Sequence, residues 1–90
     1  MIYLCVGTSM LPTMRKIGLV RIKKFKKYEV GEIISFKTLD KTFHCHRIIK
    51  INDEFVSTKG DNLDQQWYEI DVPIKNIQGR VTWIFPKCGR

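Results

Sequence analysis

Along the chain, apolar residues recur in short runs whose spacing suits strands better than helices. Such runs lie at 2–6 (Ile-Tyr-Leu-Cys-Val), 19–23 (Leu-Val-Arg-Ile-Lys), 32–37 (Glu-Ile-Ile-Ser-Phe-Lys), 43–51 (Phe-His-Cys-His-Arg-Ile-Ile-Lys-Ile), 54–58 and 80–85 (Arg-Val-Thr-Trp-Ile-Phe). They are rich in β-branched and aromatic residues, which fit a pleated, half-buried surface. Turn formers separate them: Lys16-Ile17-Gly18, Val30-Gly31, Asn52-Asp53, Gly60-Asp61-Asn62 and Gln78-Gly79. Only 11–16 and 73–77 suit a helical turn, with Pro73 fitted to its first position. The pattern predicts a mostly-β fold of about six short strands, folded or partly closed to protect its edges.

Composition narrows this. Ninety residues with 43% apolar content make one globular domain spanning 1–90, without repeats, linkers or low-complexity tracts. The three cysteines, Cys5, Cys45 and Cys88, are odd in number and far apart. That argues against a disulfide framework or a Cys-rich zinc module and fits reduced thiols in the cytosol. No basic n-region with an apolar core marks a signal peptide, and no apolar run approaches the roughly 20 residues of a bilayer span. The expectation is a cytoplasmic protein, at most peripheral at a membrane.

The net charge of +7 favours an acidic partner or surface. Arg21, Lys23, Lys24, Lys26 and Lys27 concentrate part of it. A solvated turn is the plainest reading of that run; an anionic membrane or acidic peptide comes next, and nucleic acid ranks below both.

The candidate chemistry starts at Gly7-Thr8-Ser9-Met10-Leu11-Pro12-Thr13. Gly7 frees the backbone and Pro12 keeps Leu11 out of helical geometry, so Ser9 falls on a bend, as a nucleophile requires. The plain alternative is a strand ending in a turn that holds a serine. A serine nucleophile needs a base. His44 and His46, the two histidines of the chain, alternate with Cys45 and so share one face of a strand. One can act as a general base. As a metal site the pair has too few ligands, so no metal or cofactor is expected. The remaining reading is purely structural. Asp61 and Asp64, in Thr58-Lys59-Gly60-Asp61-Asn62-Leu63-Asp64, are candidates to orient the imidazole; otherwise Asp61 caps its own turn and Asp64 is a solvated charge.

The order of these segments carries a resemblance. Ser9-Met10-x-Pro12-Thr13, Gly31-Glu32-Ile33-Ile34-Ser35-Phe36, His46-Arg47-Ile48-Ile49, Thr58-Lys59-Gly60-Asp61-Asn62 and Ile77-Gln78-Gly79-Arg80-Val81 follow one another over residues 7 to 85. This set resembles the type I signal peptidases, a serine protease clan that includes self-cleaving repressors. Histidine in His46-Arg47-Ile48, with Thr-Lys-Gly-Asp-Asn downstream, is similar to the archaeal and endoplasmic-reticulum branch. The resemblance implies a serine endopeptidase that removes a leader or signal segment from a precursor bound as an extended strand. It implies Ser9 as nucleophile, His46 as base, Asp61 or Asp64 as orienting group, and the Ser9 backbone N–H as oxyanion donor. The sequence departs from the family at several points. The loop after Gly60-Asp61-Asn62 is short, Gly7 stands where many bacterial members have an oxyanion-donating serine, and Gly18-Leu19-Val20 lacks an acidic residue. Glu32 replaces an Asp, and the family's membrane anchor is not in these residues. Together these imply a minimal, specialised member.

Two other classes stay open. One is a peptide-binding relative that does not cut. The other is a basic β-domain that stacks single-stranded nucleic acid on Phe25, Phe36, Phe43, Trp67 and Tyr68. Core and loop packing is the plainer role for those aromatics. Trp67-Tyr68 and Trp83-Ile84-Phe85 either cap the core or form an apolar membrane-facing edge, and core burial is the expected role.

Overall fold

The computed structural model describes residues 2–6, 10, 17–37, 43–62 and 69–85. Among the described residues there are seven strands: β1 (Ile2–Val6), β2 (Ile17–Lys23), β3 (Ile33–Lys37), β4 (Phe43–Ile51), β5 (Phe55–Lys59), β6 (Glu69–Pro73) and β7 (Ile77–Phe85). They form one sheet in the order β1-β2-β7-β3-β4-β5-β6, every neighbouring pair antiparallel. The fold is mostly β, as the apolar pattern predicts. A 3-10 turn, Ile74–Asn76, follows Pro73 within the expected 73–77 segment. The other expected turn, 11–16, lies outside the described residues.

The strand missing from the sequence reading is β6. Its Glu-Ile-Asp-Val-Pro stretch alternates with period two: Val72 is buried, Ile70 half-buried, and Glu69 and Asp71 exposed. Acidic residues and a terminal proline are tolerated there because β6 is an edge strand. Two hydroxyls tie it on. Thr58 Oγ1 donates to the Ile70 carbonyl at 2.9 Å, and Ser57 Oγ donates to Asp71 Oδ1 at 2.8 Å.

A flat seven-stranded sheet would be about 29 Å wide and one layer thick. The extents are 34 × 30 × 26 Å, so this sheet coils. Register shifts at Arg21/Ile22, Ser35/Phe36 and Ile48/Lys50 sharpen the bend. The coiled sheet buries two apolar clusters. Ile34, Phe36, Ile48, Val56, Val72 and Ile77 form one, with Tyr28 and Ile70 against it. Met10, Val20, Ile22 and Cys45 form the other, flanked by Tyr3, Ile33, Val81 and Ile84. On β3 and β4 the clusters use opposite faces: Ile34 and Phe36 serve the first, Ile33 and Cys45 the second.

Two glycines are required by geometry. Gly31 has φ +98° in the turn before β3, a region L side chains avoid. Gly79 lets β2 close on β7: a Cβ there would stand 2.5 Å from Ile22 Cγ2 and 2.8 Å from the Lys23 carbonyl oxygen. The second neighbour is backbone and cannot swing aside. Gly79→Ala should therefore destabilise the domain by about 2–3 kcal/mol. A lower midpoint of urea unfolding checks this, and an unchanged midpoint means the strands separate freely.

Candidate functional site

Four of the five motif segments lie on adjacent strands. Residues 31–36 lead into and form β3, 46–49 lie on β4, 58–62 end β5 and enter the following turn, and 77–81 open β7; the sheet order β7-β3-β4-β5 brings all four together. Antiparallel pairing sets their registers. Ile34 faces His46, Phe36 faces His44, and Arg47 faces Lys59.

The fifth segment contributes one described residue. Met10 is buried in the same apolar cluster as Cys45, so the neighbour of Ser9 and the neighbour of His46 share a cluster. Ser9 itself and Asp64 lie outside the described residues.

His44 and His46 share a face, as their spacing requires. Their ring centroids are 6.0 Å apart. Phe36, across on β3, braces both: its ring stacks on His44 at 5.7 Å and meets His46 edge-on at 5.8 Å. His44 is half-buried, whereas His46 is only 2% exposed. Burial in this apolar setting, helped by repulsion from His44 and opposed by attraction to Asp61, lowers the His46 pKa to about 4. At neutral pH the imidazole is uncharged, the form that accepts a proton.

Asp61 forms a two-pronged ion pair with Arg47. Arg47 Nε donates to Asp61 Oδ1 at 2.9 Å and Nη2 donates to Oδ2 at 2.7 Å. Arg47 Nη1 donates to the Gly31 carbonyl at 2.6 Å. This fork ties the turn before β3, the middle of β4 and the end of β5 together, a geometry suited to guanidinium. Asp61 keeps the Arg47 pKa above its ordinary value, mainly through these hydrogen bonds. It acts on His46 as a nearby negative charge. The pair escapes a reading of motifs alone, but a signal for it exists. A hairpin turning at Asn52, whose Oδ1 accepts from the backbone N–H groups of Glu54 and Phe55, sets Arg47 opposite Lys59, two residues from Asp61.

Glu32 has a comparable role. Its carboxylate accepts from Arg80 Nη1 and, at 2.8 Å, from the Glu29 backbone N–H. Arg80 lies over the Phe25 ring at 3.8 Å, and Lys23 Nζ is 5.7 Å from that ring's centre. Phe25 thereby pins the basic run to the sheet while Lys24, Lys26 and Lys27 stay exposed in a turn. Of the other aromatics, Phe36 is core and Phe43 is 55% exposed; Trp67 and Tyr68 lie outside the described residues. Trp83 and Phe85 correct the expectation of core burial. They are 39% and 55% exposed and stack on each other at 5.8 Å, because Ile84 between them takes the inward position.

Cys45 is buried in the second apolar cluster. Among the described residues no group of three His, Cys, Asp or Glu stands where it would hold a metal ion. No helix among them is long and apolar enough to cross a membrane.

His46 has a consequence for stability. Its folded pKa, about 4, lies below the ordinary 6.5. Between those values the unfolded chain binds more protons than the folded one, so acid favours unfolding. The contribution is fully present above pH 6.5 and is lost as pH falls towards 4. Its size is on the order of 2 kcal/mol once residual solvent screening is allowed for. Urea unfolding of the wild type and of His46→Gln from pH 7.5 to 4 should show a steeper loss for the wild type. Parallel curves would mean that His46 titrates normally.

Searches of family models, of curated proteins and of solved structures find no match to this chain.

Proposed function

We propose that the protein is a serine endopeptidase of signal-peptidase type that removes a leader or signal segment from a precursor. The observation that carries this reading is His46: an uncharged imidazole buried beside Phe36, on the strand that runs between two other motif-bearing strands. In the proposed reaction Ser9 Oγ attacks the scissile carbonyl and passes its proton to His46. The imidazolium gives that proton to the leaving amine, and a water then releases the acyl group from Ser9. The negative charge of Asp61 favours the imidazolium as it forms, with Asp64 the other candidate for that role. The Ser9 backbone N–H serves the oxyanion. The mechanism requires Ser9 Oγ within hydrogen-bond reach of a His46 ring nitrogen.

The test is covalent labelling with a fluorophosphonate probe, read by intact mass. The wild type should gain one adduct on Ser9, and Ser9→Ala none. Equal labelling of both proteins would remove Ser9 as the nucleophile.

A peptide-binding relative that does not cut is the second reading. It is favoured by the same imidazole, because a base with a pKa near 4 is a weak proton acceptor at neutral pH. A wild type that binds extended peptides but takes up no probe would support it.

A further inference from the structure

The outward positions of three neighbouring strands form an apolar face that the fold leaves open. On β2, Val20 and Ile22 point into the core while Leu19, Arg21 and Lys23 point out. Pairing lines up two rows across the strands. Leu4, Leu19 and Phe85 form one; Ile2, Arg21 and Trp83 form the other. The five apolar members are all substantially exposed: Ile2 53%, Leu4 66%, Leu19 38%, Trp83 39% and Phe85 55%. Single exposed apolar side chains are ordinary; five in two adjacent rows on one sheet face mark an interaction surface.

Charge decides what that surface meets. All nine acidic residues of the chain fall between Glu29 and Asp71. The stretches 1–28 and 72–90, which contain β1, β2 and β7, have none. Cations remain: Arg21 stands inside the apolar face, Lys23 continues its line along β2, and exposed Lys24, Lys26 and Lys27 follow in the turn. Among the described residues, the β1–β2 end of the sheet is apolar and carries cations, whereas Glu29, Glu32, Asp53, Glu54, Asp61, Glu69 and Asp71 lie on or beside β3 to β6. A second copy of the chain would bring the same cations against each other. An anionic lipid surface offers phosphates to the cations and an acyl boundary to the apolar rows. The amphipathic Trp83 and the snorkelling stem of Arg21 suit that boundary.

We infer that the outer face of β1, β2 and β7 docks on an anionic lipid bilayer, with Leu4, Leu19, Trp83 and Phe85 entering the interface and Arg21, Lys23 and the following lysines contacting headgroup phosphates. The inference does not depend on the proteolytic reading.

The test is flotation of the purified protein with mixed phosphatidylcholine–phosphatidylglycerol vesicles and with pure phosphatidylcholine vesicles. The protein should float with the mixed vesicles, be released by added salt, and stay behind with the neutral ones. In a Trp67→Phe background, Trp83 emission should shift to the blue on binding. Trp83→Ser, Phe85→Ser and Leu4→Glu should each weaken partitioning about tenfold or more, and Arg21→Glu should weaken it on mixed vesicles. Circular dichroism identifies any variant that fails to fold, and Leu4→Glu, at the sheet edge, probes the same face independently. No flotation, equal flotation with neutral vesicles, or flotation undiminished in the folded variants would overturn the inference. So would self-association abolished by Trp83→Ser without vesicle binding, which would make a second copy the occupant.

Discussion

Ser9→Ala and His46→Gln should each lower the rate of precursor cleavage by about a thousandfold or more, with the fold retained. Members of a nucleophile–base pair act as a unit, so the double variant should be scarcely slower than either single one. The pH profile distinguishes His46 as the base from His46 as a mere packing residue. With the His46 pKa near 4, kcat/KM should hold level from neutral pH down to about pH 5 and fall only below that. An acid limb well above that range would show that His46 is not the base. The readout is cleavage of a labelled precursor peptide by the wild type and the three variants. If His46→Gln cleaves at the wild-type rate, the proposed base is wrong whatever happens at Ser9.

Phe36→Ala should cost about 3–5 kcal/mol. Phe36 is 1% exposed and sits in the larger apolar cluster with Ile34, Ile48, Val56, Val72 and Ile77. Its removal leaves a cavity that a coiled sheet cannot close without shifting several strands. A chain of this length has on the order of 5–13 kcal/mol of stability to lose. The variant should therefore melt roughly 12–40 °C lower, using about 4–8 °C per kcal/mol. The same ring braces both histidines, so activity should fall further than the unfolded fraction explains. Phe36→Leu keeps most of the volume but not the flat face against His44 and His46. It should recover most of the stability and little of the activity. Recovery of both together would show that the ring only fills space.

These outcomes separate packing from chemistry at one place in the sheet, and the sequence shows that place unevenly. The strands carrying His46 and Ile34 were legible because period-two alternation and turn formers are local signals. The bounds of β1 and β4 match the apolar runs at 2–6 and 43–51. The strand β6 was less visible because Glu69 and Asp71 mask the alternation of Ile70 and Val72; an edge strand needs only one buried face. Trp83 and Phe85 misled for a related reason. Composition says that aromatics are usually buried, but only pairing and register say which of three consecutive large residues faces inward, and here it is Ile84.

The sequence by itself determined the mostly-β class, the turns at Gly31 and Asn52, and the shared face of His44 and His46, because each follows from backbone geometry over a few residues. Tertiary structure alone decided the Arg47–Asp61 fork, the closeness that requires glycine at position 79, the burial that keeps His46 uncharged, and the open face of β1, β2 and β7. Each of these depends on which strands become neighbours and how far the sheet coils. That is set by the sum of many weak long-range contacts, which no local pattern records.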